Sequence, residues 1–183
     1  MRVIAEEGLS LTTMEKVARL ANVSPGTVTF HFRSKDELLL AALDAVSQEF
    51  EKARRAAIAS AGGDAGKALD AVILALFDET IAAPDKVAVW YAFWGEAPAR
   101  RVYMGRVGDL DRTYLEDIEQ LFAKLAETHT GIAPQLAART FAGLLEWLWQ
   151  ELLVEGRDFD RRAAIRMARA HLASFPERSP ARS

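Results

Sequence analysis

The chain has 183 residues, half of them hydrophobic and 27% charged, and its 23 Lys+Arg against 26 Asp+Glu leave a net charge of -3. That balance excludes a disordered chain and gives length enough for one sizeable core or two small ones. Cysteine is absent, which excludes disulfides, thiolate zinc sites and thiol catalysis.

The N-terminal MRVIAEEGLS carries acids where a signal peptide has its apolar stretch, and the longest apolar run, Val87 to Gly95, is about half a membrane span. A cytoplasmic, globular chain is the expectation. In chain order every periodic segment reads as helix. A short one around Val3 and Ile4 stops at Gly8. Thr12-Thr13-Met14-Glu15 has the form of a capping box and opens a second, which ends near Asn22, a residue that tolerates the left-handed turn. Ser24-Pro25 opens a third with a capping hydroxyl and a proline that loses no hydrogen bond there. Ser34-Lys35-Asp36-Glu37, a second capping box, opens a long helix to about Ser60, and Ala61-Gly62-Gly63-Asp64 is the clearest loop. Beyond it, helices are predicted over Lys67–Ala82, Asp85–Glu96, Ala99–Thr128 (with a bend near Gly105 and Gly108), Pro134–Glu155 and Phe159–Phe175. The predicted class is all-α.

Between Thr12 and Phe32 two short helices joined at Asn22-Val23 have helix-turn-helix proportions. Lys16 to Lys35 holds Lys16, Arg19, Arg33, Lys35 and His31 but no acid, so this end suits phosphate. The small first turn (Ser24, Pro25, Gly26, Thr27) lets backbone approach a groove, and Thr27, Thr29, Phe30 and His31 can project toward base edges or phosphates. Periodicity alone leaves two ordinary packed helices equally open. The run Thr12–Val28, continued by Thr29-Phe30-His31-Phe32-Arg33-Ser34-Lys35-Asp36-Glu37-Leu38-Leu39, resembles the DNA-binding domain of the TetR family of transcriptional regulators, including its Phe-x-x-Lys-x-x-Leu ending. The resemblance implies an N-terminal DNA reader and a divergent helical bundle that binds ligand and dimerises. The candidate DNA-contacting set is Thr13, Ser24, Pro25, Gly26, Thr27, Thr29, Phe30, His31 and Lys35. Asn22 stands where the family usually has Gly, and Thr29 where it often has Tyr, which puts a phosphate contact in doubt. Only Met1 to Glu7 precede Gly8, under two turns where the family has a full first helix. The first helix is therefore expected to be truncated and its support of the recognition pair weakened.

Trp90, Phe93 and Trp94 share one face of a predicted helix, at i, i+3 and i+4. They read either as core or as the aromatic wall of a small-molecule pocket with Glu96 or Tyr103 at its rim, a pairing that favours cations. The stretch Trp90–Ala97, with Arg100 and Tyr103, resembles the C-terminal domain of BetI-type repressors, which implies choline or a related quaternary ammonium effector. Trp147 could face the pocket or a partner. Apolar residues of Pro134–Glu155 (Phe141, Leu144, Leu145, Trp147, Leu148, Trp149, Leu152, Leu153) spread round over half the helix. With Ile165, Ala168, Leu172 and Phe175 they suit a two-fold, four-helix dimer interface.

His31, His129 and His171 lack metal spacing, no phosphate-cradling Gly loop is present, and no cofactor, metal or enzymatic activity is expected. The expected organisation is a helix-turn-helix DNA-binding domain over 1–45, a ligand-binding and dimerisation domain over 46–175 and a disordered tail over 176–183. The expected function is a ligand-responsive, homodimeric repressor, cytoplasmic, released from operator DNA by a small cationic effector. The runner-up is a ligand-binding helical dimer that does not bind DNA because its first helix is incomplete; a helical enzyme or carrier is a distant third.

Overall fold

The computed structural model describes residues 1–96 and 101–176, omitting the side chains of 102, 104 and 107. Every regular element among the described residues is helical: α1 (Arg2–Leu11), α2 (Met14–Ala21), α3 (Pro25–His31), α4 (Lys35–Ser60), α5 (Ala65–Leu76), α6 (Pro84–Glu96), α7 (Arg101–Leu125), α8 (Pro134–Glu155) and α9 (Arg161–Ala173). The expected beginning of α7 at Ala99 and the tail after Pro176 lie outside the described residues.

Two compact units form. The first takes Met1–Phe50 and Ala83–Asp109; the second takes Glu51–Ala82 and the described residues from Leu110 onward. The aromatic helix α6 falls in the first unit, while the ligand-binding domain expected over 46–175 includes it. An amphipathic pattern specifies that a face is buried but not which segment buries it.

In the first unit, α1, α4, α6 and the start of α7 enclose a core of Ile4, Leu9, Leu39, Leu43, Val46, Val89, Phe93 and Tyr103. Gly8 interrupts α1 at φ 77°, ψ 172°, backbone geometry that a residue with a Cβ rarely adopts. The interruption turns Leu9 inward, and the buried Thr12 hydroxyl donates to the Gly8 carbonyl at 2.7 Å. Thr12 is therefore spent on the kink, and the cap of α2 is Thr13, whose Oγ1 accepts from the Lys16 amide at 3.3 Å. Polar links cross the same helices. Tyr103 Oη donates to Asp36 at 3.0 Å, Arg106 Nε to Asp44 at 2.6 Å, Ser10 Oγ to Glu96 at 3.0 Å, and Lys86 pairs with Glu49.

In the second unit, α8 turns Ala137, Phe141, Leu145, Leu148 and Leu152 inward, a stripe at steps of three and four residues. Phe141 meets Phe122 edge-on at 5.6 Å, and Phe122 meets Phe175 likewise at 5.7 Å. α5 stops at Leu76 rather than at Ala82: just beyond it the Asp78 carboxylate accepts from the Thr80 amide at 2.8 Å, a local turn off the helical path, and distant donors meet the carbonyls around it. Trp149 Nε1 donates to Leu76 O at 3.1 Å, and the Arg161 guanidinium donates to Phe77 O at 3.4 Å and Ala82 O at 2.7 Å. Arg169 forks onto Asp70 at 2.5 and 2.8 Å, joining α9 to α5. His171 stacks on Phe141 at 6.2 Å, and burial holds its pKa below the usual imidazole value.

Candidate nucleic-acid interface

The acid-free segment folds as a compact pair. Asn22 closes α2 in the left-handed conformation, φ 54° and ψ 44°, and the Val23 amide donates back to Ala18 O at 3.0 Å. Ser24 then caps α3, its Oγ accepting from the Thr27 amide at 3.1 Å, with Pro25 at the first helical position. Ala18, Val28 and Leu38 lock the pair to α4, with Met14, Val17 and Phe32 packed around them. The inward residues of α2 and α3 are thereby used up, so the rest of α3 must face out.

That outward face is the predicted one. Ser24, Pro25, Gly26, Thr27, Thr29, Phe30 and His31 are all exposed, Phe30 by 84%. A Cβ on Gly26 would meet only Ser24 Oγ, at 3.7 Å, so internal packing does not demand a glycine there. Thr29 Oγ1 donates to Pro25 O and Gly26 O, both at 3.1 Å, and does not reach outward as a family tyrosine would. Thr13 holds its cap at half burial. Lys35 Nζ donates to Ser10 O at 2.7 Å and Lys16 pairs with Glu7, so two of the four expected cations are tethered to α1. Arg19 and Arg33 stay exposed. The second capping box forms with a shift: the Glu37 amide donates to Ser34 Oγ at 3.1 Å, while the Glu37 carboxylate accepts from the Arg33 amide at 2.8 Å rather than from Ser34.

The aromatic set divides. Phe93, a pocket candidate by its spacing, and Tyr103, a candidate for the pocket rim, are fully enclosed by the first unit's core, edge to face at 5.0 Å. A ligand could touch either only if those neighbours moved. Trp90 is half-buried and stacks on Phe50 at 6.5 Å, Trp94 is exposed, and Glu96 is occupied by Ser10. Trp147 belongs to the second unit and is 47% exposed on α8.

The second unit holds a constellation the sequence reading missed. Arg54 is only 3% exposed; its Nε donates to Asp117 at 3.1 Å, and its guanidinium lies 5.6 Å from the centre of the Tyr114 ring. Burial pushes the Tyr114 phenol well up, and the nearby Glu146 adds to that while Arg54 opposes it. Asp117 is thus the anchor of a buried cation. The available signal was register: Arg54 continues the Leu43, Val46, Phe50 stripe of α4 at the next step of four. No cluster of His, Asp and Glu among the described residues could hold a metal, and no described helix is long and apolar enough to cross a membrane.

Comparison with known proteins adds the following. Residues 1–42 match the model of the tetR family of bacterial regulatory proteins, and residues 65–176 match that of the BetI-type transcriptional repressor C-terminal domain. The HTH-type transcriptional regulator BetI of Burkholderia thailandensis is 33% identical over 175 residues, covering 94% of this chain and 87% of that one. A solved structure from Pseudomonas aeruginosa PAO1, described as a transcriptional regulator, superposes with a TM-score of 0.77 at 27% identity, covering 93% of this chain and 83% of the other. A regulator from Saccharomonospora viridis solved in complex with choline shares the fold at a TM-score of 0.76 and 18% identity, over 97% and 93% of the two chains. An exposed α3 standing on a locked helix pair at one end, and a BetI-type match over the other, agree on one assignment: the chain belongs to the TetR family of bacterial transcriptional regulators.

Proposed function

We propose that this regulator represses transcription as a homodimer, each α3 reading one half-site, and that a small cationic effector lowers its operator affinity. The observation that carries the reading is the outward face of α3: exposed from Ser24 to His31 except for Val28, free of acids, and locked from behind by Ala18, Val28 and Leu38. The mechanism is a population shift, in which the effector favours a dimer whose two α3 helices no longer match successive major grooves.

Dimerisation is supported by α8. Trp147 and Val154 lie eleven and eighteen residues after Leu136, close to three and five whole turns, so all three share one face, and all are exposed. With Met167 of α9, also exposed, this is apolar surface that one protomer leaves wet. Trp147→Glu places a charge within that stripe. The expected result is a monomeric mass by light scattering at micromolar concentration and at least tenfold weaker operator binding, with helix content unchanged by circular dichroism. A dimer that persists would argue against this interface.

A cationic effector is supported by the BetI relatives, by the choline bound to the Saccharomonospora viridis protein, and by two aromatic faces, one of them with acids beside it. These are Trp90 and Trp94 on α6, and Tyr114 with Asp117 and Glu146, where Arg54 already shows the ring accepting a cation. The test is a mobility shift on the DNA upstream of the protein's own gene, titrated with choline, betaine aldehyde and neutral isosteres. The charged amines are expected to release the DNA and the isosteres not to. Trp94→Ala and Tyr114→Ala tell the two faces apart, because loss of one ring contact raises the effector midpoint by about two- to thirtyfold.

A further inference from the structure

From Ser24 to Phe32 the chain contains no Arg, Lys, Asn, Gln, Asp or Glu. Those side chains make the hydrogen bonds that distinguish guanine, adenine and cytosine in the major groove, the two-point contacts above all. The hydroxyls of α3 are poor substitutes, because they are engaged within the helix. Thr29 Oγ1 donates to two backbone carbonyls, and Ser24 and Thr27 Oγ lie 2.9 Å from each other. What the helix offers outward is therefore largely apolar: threonine methyls and the Phe30 ring, which meets the edge of His31 at 5.4 Å. His31 is the remaining polar ring. A large exposed phenyl on a surface of otherwise small side chains needs an apolar partner, and the major groove displays one apolar group, the thymine 5-methyl.

Resting on the family's operator binding, we propose that Phe30 is the residue that determines specificity, and that it selects half-sites by packing on thymine methyl groups. Neighbouring Thr27 and Thr29 supply methyls to the same apolar contact, and phosphate contacts supply affinity without sequence information. The operator half-site accordingly carries thymine at a fixed position beneath α3, and loss of a single methyl is felt.

The experiment uses the full chain and a random duplex library. Selection is expected to enrich half-sites with thymine at a constant position. Deoxyuridine is then substituted there, keeping the Watson–Crick pair but deleting the methyl. Wild type is expected to bind about three- to fivefold more weakly for each methyl removed. Phe30→Ala is expected to bind the two duplexes equally, and Phe30→Leu to retain part of the discrimination. Equal binding of both duplexes by wild type would overturn the proposal, as would a penalty undiminished in Phe30→Ala or enriched half-sites lacking a fixed thymine. Enrichment of no sequence at all would remove the operator reading and the proposal together, whereas enriched sites without thymine would remove the proposal alone.

Discussion

Phe93→Ala is expected to destabilise the protein by about 3–5 kcal/mol, lowering Tm by about 6–20 °C. The ring is fully buried among Leu39, Leu43, Val46, Val89 and Tyr103, drawn from α4, α6 and α7. Its loss removes the transfer energy of a phenyl group and leaves a void that helices pinned by the Tyr103–Asp36 and Arg106–Asp44 links cannot easily close. The edge-to-face contact with Tyr103 at 5.0 Å goes with it. Trp94→Ala, one residue along the same helix, is the internal control. That ring is 44% exposed, and its removal is expected to cost under about 1 kcal/mol. Calorimetry of the three proteins checks the contrast. If Phe93 lined a ligand cavity instead, its Ala variant would melt close to wild type and lose only effector binding.

The second large effect is at Arg54. Arg54→Ala is expected to cost about 2–4 kcal/mol, and Arg54→Met about 1–2 kcal/mol less than that. Truncation leaves the volume of a long side chain empty beneath Tyr114 and takes the cation from Asp117, which is 31% exposed and so partly rehydrates. That relief places the effect toward the lower end of the range for breaking buried pairs. Methionine fills most of the same space and so recovers the packing part of the loss, but it leaves Asp117 without its cation just as alanine does. Urea unfolding distinguishes them through the midpoint at unchanged m value. Equal losses for the two variants would show that the charge, not the volume, carries the contribution.

Local chemistry was legible in the sequence wherever a short stretch carries its own geometry. Ser24, Pro25 and Asn22 form the caps and the turn that their residue types call for, and α8 starts and stops at the expected Pro134 and Glu155. Errors arise where a distant partner decides. Thr12 and Thr13 are equivalent on paper; the Gly8 kink claims the first and leaves the second as the cap. α5 ends at Leu76, where Asp78 turns the chain onto the Thr80 amide, and Trp149 and Arg161, more than seventy residues on, meet the carbonyls of Leu76 and Phe77. α7 runs as one helix from Arg101 to Leu125 through Gly105 and Gly108. At the candidate interface the exposed set was foreseen, but the tethering of Lys35 and Lys16 to α1 was not, since it depends on how α1 packs.

Because α6 and the first turns of α7 complete the hydrophobic interior behind the recognition pair, the reading head is not a contiguous stretch of polypeptide. Excising residues 1–50 as a portable module would strip Leu39, Leu43 and Val46 of Val89, Phe93 and Tyr103. A chimaera intended to swap DNA specificity should therefore exchange the outward side chains of α3 in place, or graft 83–109 together with the N-terminal segment.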